Sequence, residues 1–320
     1  MTSMWRVSRV DKGAVRLVPD GAASVPADGT VVVGTERDGT LPMTAGEPVV
    51  PAVGDRVVLD GERALVMPRT SELVRDTVGK TSLVQVIAAN VDVVLIVEHL
   101  EPEPALGRIE RMLTIAWRSD AVPVVVLTKV DLVDDADRWL EATRAVAPGV
   151  DVLAISAATG AGLEALTATL QQARTLVLVG PSGAGKSTLV NALAGAEVMV
   201  TGEVRGDGRG MHTTTHRELI PLPDGRWLID TPGVRSIGLV ATEEAVAATF
   251  SDVEERARGC RFRDCTHTNE PECAVVEAVE AGELPERRLA SWHSLRREAT
   301  RQAARAVRAP KAAGHIRTRR

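Results

Sequence analysis

The chain has 320 residues, of which 44% are hydrophobic and 25% charged, and these values exclude a disordered or fibrous protein. At this length we expect two or three domains. The net charge of −5 hides an asymmetry, because residues 287–320 contain eleven Lys and Arg but one acid, so that the rest of the chain sums to −15. The apolar runs are far shorter than the ~20 residues of a membrane span, and no membrane partner is expected.

The first 85 residues are rich in Val, Gly, Pro and Asp, with short β-like runs at 29–34, 54–59 and 63–67. Turn residues recur every ~8–12 positions, which is typical of a small all-β barrel or sandwich. The segment has a net charge of −1 and one aromatic residue, Trp5. Because single strands are usually bound by basic grooves with aromatic platforms, RNA contacts here are expected to use a few arginines. The candidates are Arg56, Arg69 and Arg75.

From residue 86 onward, apolar strands alternate with amphipathic helices. Strands are predicted at 92–98, 123–129, 152–156 and 175–180, and helices at 105–118, 134–147, 162–173 and 186–194. Such alternation is typical of βαβ units, so it predicts an α/β domain with a parallel sheet. From about residue 241 we predict a helical region that ends in a long Arg- and Ala-rich helix.

A glycine-rich loop joins the strand predicted at 175–180 to the following helix and fits the pattern G-x-x-x-x-G-K-[ST]. In such loops, backbone N–H groups surround a phosphate, the lysine reaches the β- and γ-phosphates, and the next hydroxyl binds Mg²⁺. The predicted nucleotide-binding loop consists of Gly180, Pro181, Ser182, Gly183, Ala184, Gly185, Lys186, Ser187 and Thr188.

Elements of a nucleotide-dependent switch follow this loop. Asp230 and Gly233 form a D-x-x-G after an apolar strand, where the carboxylate can hold Mg²⁺ through water and the glycine N–H can meet a γ-phosphate. The polar stretch 201–217 contains His212 and the threonines at 213–215. One of these threonines is expected to complete the Mg²⁺ shell when a γ-phosphate is present. The predicted Mg²⁺ ligands are Ser187 and Thr214.

Residues 128–131, Thr-Lys-Val-Asp, end another apolar strand and resemble the guanine-reading N/T-K-x-D element of GTPases. A carboxylate at Asp131 can accept hydrogen bonds from guanine N1–H and the N2 amine, whereas adenine has neither donor there. Thr128 stands where most GTPases have Asn, and its shorter side chain with a single hydroxyl leaves the strictness of guanine selectivity open. The predicted base-binding residues are Thr128, Lys129, Val130 and Asp131, with the S-A pair Ser156 and Ala157.

These motifs occur in a permuted order, since the base elements precede the phosphate loop instead of following D-x-x-G. The same sheet can form in this order when the original termini of the domain are connected and new termini are created elsewhere on the surface. D-x-x-G then leads directly into the C-terminal region. A movement that depends on the γ-phosphate would therefore pull on whatever follows residue 240.

All three cysteines of the chain lie between residues 260 and 273, with a histidine among them. Three thiolates and an imidazole at this spacing suit tetrahedral Zn²⁺ in a closed, structural site. An odd number of clustered thiols also favours a reducing compartment over a disulfide framework, and a cytoplasmic location is expected. The predicted zinc ligands are Cys260, Cys265, His267 and Cys273.

The permuted order, the β-rich N-terminal region and the Cys/His cluster together resemble the RsgA (YjeQ) family of GTPases over nearly the whole chain. The resemblance implies an OB-fold at 1–85, a circularly permuted P-loop GTPase domain at 86–240 and a helical zinc-binding domain at 241–320. It also implies GTP hydrolysis that is stimulated by the small ribosomal subunit during late maturation of that subunit. His212 is the implied catalytic residue, since Val234 stands where Ras-like enzymes place a water-positioning Gln.

The implied partners are the small ribosomal subunit with its rRNA, and GTP or GDP, and the chain is expected to be a monomer. Salt-sensitive binding to RNA phosphates is expected from the basic arm 311–320 and from the arginines of the predicted C-terminal helix, which are Arg287, Arg288, Arg296, Arg297, Arg301, Arg305 and Arg308. Two alternatives stay open from the sequence. One is a P-loop NTPase with no link to the ribosome, for example an ATPase, and the other is an RNA-binding zinc module gated by nucleotide.

Overall fold

The computed structural model describes residues 4–21, 30–76, 84–199, 218–223, 225–230 and 241–308. Its N-terminal part is a five-stranded antiparallel sheet in the order β3-β2-β1-β4-β5. The strands are β1 (Met4–Asp11), β2 (Ala14–Pro19), β3 (Val31–Gly34), β4 (Arg56–Asp60) and β5 (Arg63–Val66). Its core consists of inward-facing aliphatic residues: Val7, Val15, Leu17, Leu41, Val57 and Val66. The predicted all-β domain is confirmed as an OB-like unit.

A two-stranded antiparallel hairpin, β6 (Glu72–Asp76) and β7 (Val84–Ala89), lies between this sheet and the next. The side-chain amide of Asn90, just after the hairpin, donates to the carbonyl of Gly54 at 3.1 Å. Gly54 has a φ of +94°, and a side chain there would meet the Ala89 carbonyl at 2.2 Å, so glycine permits this close approach. Because β7 spans residue 85, the expected domain boundary at that residue stays a prediction.

The α/β part contains a six-stranded sheet in which five strands are parallel and β12 is antiparallel. The strands are β8 (Val93–His99), β9 (Val122–Thr128), β10 (Asp151–Ala154), β11 (Thr175–Val179), β12 (Glu218–Pro221) and β13 (Trp227–Asp230). The helices are α1 (Leu106–Arg118), α2 (Ala136–Val146), α3 (Leu163–Thr169) and α4 (Lys186–Ala194). The predicted alternation is confirmed, although the helix expected at 162–173 is shorter.

Both faces of the six-stranded sheet are covered, as is usual for parallel strands. Leu95 and Leu176 point to one face, where they pack with α3 and α4. The next residues along these strands, Ile96 and Val177, point to the other face and join a core that includes α1. The continuous aliphatic runs that predicted buried strands are explained by this two-sided burial.

The C-terminal region consists of α5 (Glu243–Thr249), α6 (Ser251–Ala257), α7 (Ala274–Glu280) and α8 (Glu286–Arg308). The side chain of Thr242 caps α5 by accepting a hydrogen bond from the Ala245 N–H. Trp292 and Leu295 of α8 are buried in the same core as α1. Among the helices in the described ranges, none combines the length and apolar character that crossing a bilayer requires.

A buried ion network fixes α8 to α1. Arg288 is wrong as an RNA-binding candidate, because it is 1% exposed. It donates to the Glu110 carboxylate at 2.9 Å and to the Asp252 carboxylate at 2.6 Å. It also donates to the backbone carbonyl of Thr249 at 2.8 Å, and Arg287 reaches Glu110 at 3.1 Å. Because removing one member leaves an uncompensated buried charge, this network holds the C-terminal region against the α/β part.

Candidate nucleotide and metal sites

The strand order of the α/β sheet reverses between β8 and β11. The chain runs from β8 through β9 to β10 on one side, and from β11 to β13 on the other. In open α/β sheets, ligands bind at the carboxyl edge where such a reversal occurs. The parallel register places the ends of β9, β10 and β11 at this edge. The predicted phosphate and base motifs therefore come together although they are distant in sequence.

The predicted phosphate loop connects the end of β11 to α4, which begins at Lys186 as the pattern requires. Gly180, Gly183 and Gly185 have φ values of +148°, +77° and +81°. A side chain at Gly180 would meet the Val97 carbonyl at 2.0 Å, so the loop depends on glycine at this position. The Lys186 ammonium donates to two loop carbonyls, one of them that of Gly180 at 2.9 Å, and therefore lies over the loop.

The other residues of this loop differ in their exposure. Pro181, Gly185 and Ser187 are half-buried, Ala184 is buried, and Ser182, Gly183 and Thr188 are exposed. The Leu189 N–H donates to the Gly185 carbonyl at 2.8 Å and so makes an early bond of α4. The first N–H groups of a helix have no carbonyl partner within the helix and point towards the preceding loop. They can therefore donate hydrogen bonds to an anion held by that loop.

Thr128 ties the base strand to the phosphate loop. It ends β9 and is 2% exposed, and its hydroxyl lies 2.7 Å from the Ala184 carbonyl and 3.3 Å from the Glu98 carbonyl. The sequence left open how this residue affects guanine selectivity. In the structure its hydroxyl donates to the Ala184 carbonyl and so holds the phosphate loop against the end of β9.

The loops that follow β9 and β10 lie side by side and are joined by a backbone hydrogen bond of 3.2 Å. Lys129 has a left-handed φ of +63° and precedes the 3-10 turn Val130–Leu132, in which Asp131 is exposed. Ser156 is buried and Ala157 is half-buried in the neighbouring loop. The Asp131 carboxylate is thus accessible at the carboxyl edge of the sheet, with the S-A pair beside it.

Three of the predicted site residues, His212, Thr214 and Gly233, lie outside the described residues. The backbone of Asp230 ends β13, which pairs with β11 next to the phosphate loop. The side chain of Asp230 is also outside the description. The assignments of these four residues stay predictions.

An ion pair between a buried glutamate and a partly exposed arginine, which the motifs did not predict, lies at the same edge. Glu98 is 1% exposed and accepts two hydrogen bonds from Arg108 of α1, at 2.8 and 2.7 Å. These bonds raise the pKa of Arg108. A charged residue directly after the aliphatic run 93–97 was the available signal in the sequence. The pair joins the end of β8 to the start of α1, beside the carbonyl that Thr128 approaches.

The four predicted zinc ligands form one cluster, in which the ligand atoms all lie within 4.8 Å of one another. The sulfurs of Cys260 and Cys273 are 3.8 Å apart, and Nδ1 of His267 lies 3.3 Å from the Cys273 sulfur. Two thiolates on one tetrahedral ion, with metal–sulfur bonds of about 2.3 Å, are separated by a similar distance. Together with Cys265, these residues fit one metal ion held by three sulfurs and one nitrogen.

Ionisation within the cluster reflects burial and crowding. Burial raises the pKa of Cys265 to about 12, and its hydrogen bonds with Cys273 and Cys260 add to the rise. Burial lowers the pKa of His267, and the positive charge of Arg296 acts in the same direction, so the neutral imidazole that ligation requires predominates at pH 7. A bound cation would offset the mutual repulsion of three thiolates.

The cluster packs directly on α8. The ring centroids of His267 and Trp292 are 5.1 Å apart, and Nε2 of His293 lies 3.2 Å from the His267 carbonyl. The indole N–H of Trp292 donates to Glu254 of α6 at 3.0 Å. The metal-binding loop, α6 and α8 therefore form one packed unit.

The arginines of the N-terminal part are less available to RNA than the sequence suggested. Arg69 is wrong as a candidate, because its side chain is 8% exposed and donates to the fully buried Asp55 carboxylate at 2.7 Å. A carboxylate buried to this extent requires a counter-charge. Arg75 donates to the Gln85 side chain at 2.9 Å, and Arg56 lies 3.9 Å from a carboxylate oxygen of Asp20.

A phosphate loop at the strand reversal, a guanine-type element two strands away and a permuted motif order define a circularly permuted GTPase. Two solved structures share this fold. The crystal structure of YloQ, a circularly permuted GTPase, matches with a TM-score of 0.65 and 26% identity, covering 94% of this chain and 96% of that one. YjeQ from Thermotoga maritima matches with a TM-score of 0.66 and 25% identity, covering 94% and 99%.

The sequence comparisons are more specific. The family model of the RsgA GTPase matches residues 66–240. The small ribosomal subunit biogenesis GTPase RsgA of Streptomyces avermitilis is 46% identical over 303 residues, which cover 92% of this chain and 78% of the relative. RsgA 1 of Listeria innocua is 44% identical over 250 residues, with coverages of 78% and 72%. The chain belongs to the RsgA family, and it is a hydrolase that acts on GTP.

Proposed function

We propose that this GTPase binds the small ribosomal subunit, acts late in the maturation of that subunit and hydrolyses GTP faster when the subunit is present. The observation that carries the proposal is the 46% identity with the small-subunit biogenesis GTPase of Streptomyces avermitilis, which extends over 92% of the chain. We further propose that the protein acts as a monomer in the cytoplasm.

In this proposal the backbone N–H groups of residues 180–188 hold the phosphates of GTP, and Lys186 neutralises the β- and γ-phosphate oxygens. The hydroxyls of Ser187 and Thr214 ligate Mg²⁺, and Asp230 approaches it through water. Mg²⁺ would supply charge neutralisation between the β- and γ-phosphates. The N–H of Gly233 meets the γ-phosphate. The proposal is supported by the glycine backbone angles and by the position of Lys186 over the loop.

The guanine base is proposed to bind between the loops that follow β9 and β10. Asp131 accepts hydrogen bonds from guanine N1–H and the N2 amine, and the stem of Lys129 packs on the face of the ring. Ser156 and Ala157 back the base from the other loop. The exposure of Asp131 at the carboxyl edge supports this assignment. Thr128 and Val130 hold the base loop in place rather than reading the base.

His212 is proposed to orient the attacking water or to accept its proton. The support is chemical, because Val234 follows D-T-P-G and an aliphatic side chain has no group that can position water. Hydrolysis would then depend on the polar stretch 201–217 being held next to the γ-phosphate, which is a step that a bound ribosomal subunit can promote.

The metal of the cysteine cluster is proposed to be Zn²⁺ with a structural role. A site with three thiolates and one imidazole has four protein ligands and leaves no position open for a substrate, as in structural zinc sites. The packing of His267 on Trp292 supports a role in fixing the loop to α8. Zinc content can be measured directly by atomic absorption on the purified protein.

RNA contacts are proposed to involve the exposed arginines of α8 and the basic residues that follow it. Arg296, Arg297, Arg301 and Arg305 are exposed. The segment 309–320 adds Lys311, Arg317, Arg319 and Arg320. Clustered positive charge of this kind binds phosphates with strong salt dependence.

The decisive experiment measures GTP turnover with and without purified small ribosomal subunits, with large subunits as the matched control. We expect small subunits alone to raise turnover. Equal turnover in all three conditions would reject the proposed partner, while the GTPase assignment would remain. Competition of labelled GTP by GDP and by ATP tests base selectivity in the same preparation, and displacement by ATP would point to a general NTPase.

A further inference from the structure

Two arginines of β1, in the OB-like unit, contact the six-stranded sheet. Arg6 is 1% exposed, and its guanidinium donates to the hydroxyl of Thr175, the first residue of β11. Arg9 donates to the carboxylate of Glu218, the first residue of β12, at 2.8 Å. The strand β11 leads into the phosphate loop, whereas β12 is an edge strand of the sheet. One strand of the OB-like unit is therefore attached to the GTPase sheet at two separate places.

A β-bulge in β1 determines the direction of the second arginine. In a regular strand Arg9 would share the face of Val7, two positions earlier, which lies in the core of the OB-like unit. The pairing of β1 with β2 shifts by one residue between Val7 and Arg9, so that Ser8 is an extra residue in β1. Such a bulge changes the direction of the side chains beside it. The Arg9 side chain therefore reaches the GTPase sheet, as that of Arg6 does.

The guanidinium of Arg9 is also held by a carboxylate of its own strand. Its Nε donates to Asp11 at 2.7 Å, and the other oxygen of Asp11 accepts from Arg16 at 3.0 Å. Because Asp11 already orders the Arg9 side chain, less conformational entropy is lost when Arg9 pairs with Glu218. The side chains of this pair are 26% and 44% exposed, so the pair lies at the surface and is open to screening by salt.

Glu218 lies where two segments of the nucleotide site join the sheet. It directly follows the polar stretch 201–217, four positions after Thr214 and six after His212. The register of β12 and β13 pairs the backbone of Glu218 with that of Asp230. Four residues of chain span at most about 14 Å, so the position of Glu218 limits the positions that Thr214 can reach. A contact that fixes Glu218 therefore bears on the residues proposed to hold Mg²⁺ and to act on water.

We propose that Arg9 is a positioning residue for GTP hydrolysis, which acts through Glu218 on the end of the stretch 201–217. The inference rests on the roles proposed above for Thr214 and His212. A fixed Glu218 raises the fraction of molecules in which these side chains meet the nucleotide correctly, and turnover scales with that fraction. GTP affinity does not depend on the contact, because Arg9 and Glu218 belong to neither the phosphate loop nor the base loops.

The test measures steady-state GTP turnover of the full zinc-loaded chain without ribosomal subunits. We expect Arg9→Gln to lower kcat about 2- to 5-fold, where 5-fold corresponds to an ion pair worth about 1 kcal/mol, and to leave KM for GTP unchanged. Glu218→Gln should lower kcat equally, and the double variant should be no slower than either single variant. Arg9→Lys keeps the positive charge and should recover part of kcat.

Arg16→Gln is the matched control, because it removes an arginine bound to the same Asp11 and leaves the contact between Arg9 and Glu218 in place. Its turnover should equal that of the wild type. Added salt should reduce the difference in kcat between the wild type and Arg9→Gln, since surface ion pairs are screened. Urea unfolding of every variant gives the folded fraction, so that kcat is compared per folded molecule.

The proposal is overturned if Arg9→Gln has the kcat of the wild type per folded molecule, or if only its KM changes. Losses that add in the double variant would also overturn it, since Arg9 and Glu218 would then act separately. A slow Arg9→Gln variant with normal turnover in His212→Ala would keep Arg9 as a positioning residue and reject the role proposed for His212. Small subunits that fail to stimulate turnover would reject the proposed function and leave the result for Arg9 intact, because this assay contains none.

Discussion

Thr128 joins two parts of the nucleotide site through a single hydroxyl, which lies within hydrogen-bonding distance of the Ala184 and Glu98 carbonyls. We predict that Thr128→Val lowers the free energy of unfolding by about 1–3 kcal/mol, because the side chain keeps its shape while buried carbonyls lose their donor. GTP affinity should also fall, since the phosphate loop loses its support. Urea unfolding and GTP titration measure the two effects.

Thr128→Ser is the matched control for this prediction, because it keeps the hydroxyl and removes one methyl group. We expect it to retain most of the GTP affinity. If the serine variant loses as much affinity as the valine variant, packing of the methyl group, and not the hydroxyl, maintains the loop.

His212 is the residue on which the proposed catalysis depends. We predict that His212→Ala lowers subunit-stimulated turnover about 100-fold or more, the usual contribution of a residue that acts on the attacking water, with GTP affinity unchanged. His216→Ala, a histidine four positions along in the same stretch, is the control and should turn over GTP normally. Stopped-flow or steady-state phosphate release provides the measurement. Normal turnover in the His212 variant would remove the residue from the mechanism.

The sequence predicted the identity of the site residues better than their contacts. Gly180 to Thr188 were predictable because a phosphate loop needs glycine and lysine at a fixed spacing along the chain. The contact from Thr128 to Ala184 was not, since it joins residues 56 positions apart. The pair of Glu98 and Arg108 was missed although the residues are only ten positions apart, because the charged residue after the run 93–97 does not show which partner the packing of α1 brings to it.

At the scale of elements, a buried ion network connects α1 to the C-terminal helices α6 and α8. We predict that Arg288→Met lowers the free energy of unfolding by about 3 kcal/mol, because the buried Glu110 keeps only the partly exposed Arg287 as a partner and the half-buried Asp252 loses its arginine. Arg297→Met changes an exposed arginine of the same helix and should have little effect. Both variants can be compared by thermal or urea unfolding.

A double variant tests whether charge is the cause. Glu110→Gln combined with Arg288→Met should recover part of the loss, since the buried carboxylate that lost its buried partner is replaced by a neutral amide. A double variant that is as unstable as the sum of the single variants would mean that lost packing, rather than an uncompensated charge, explains the effect.

The metal-binding loop is a second element whose stability can be tested. We predict that a chelator unfolds the C-terminal helices, because closed zinc sites contribute folding free energy directly. Limited proteolysis should then cleave within residues 258–273, while the six-stranded sheet stays protected. Re-addition of Zn²⁺ should restore protection. Circular dichroism and protease resistance that do not change on metal removal would contradict a structural role.

The elements differed in how far local sequence could predict them. The strands from β8 to β11 were predictable because continuous aliphatic runs are typical of strands buried on both faces. The strands β1 and β2 were not singled out, since polar and apolar residues share these half-exposed strands and the signal is weaker. Arg69 appeared available because sequence alone does not show that Asp55, 14 positions away, is buried beside it.

At the scale of the whole molecule, positive charge is concentrated at the C-terminal end. We predict that a chain ending at Arg308, which lacks four basic residues, binds small subunits with a slope of log affinity against log salt that is smaller by about 3. GTP turnover without subunits should be unchanged. An unchanged slope would show that residues 309–320 make no phosphate contacts.

The pairing of Glu110 with Arg288 has a consequence for synthesis of the protein. The two residues are 178 positions apart, so at about 5–20 residues per second the carboxylate is made about 9–36 s before its partner. During this interval the face of α1 that carries Glu110 stays in water, because the counter-ions of this acid come from α8. We therefore expect a protein truncated before Arg287 to leave that face of α1 accessible to chaperones and proteases.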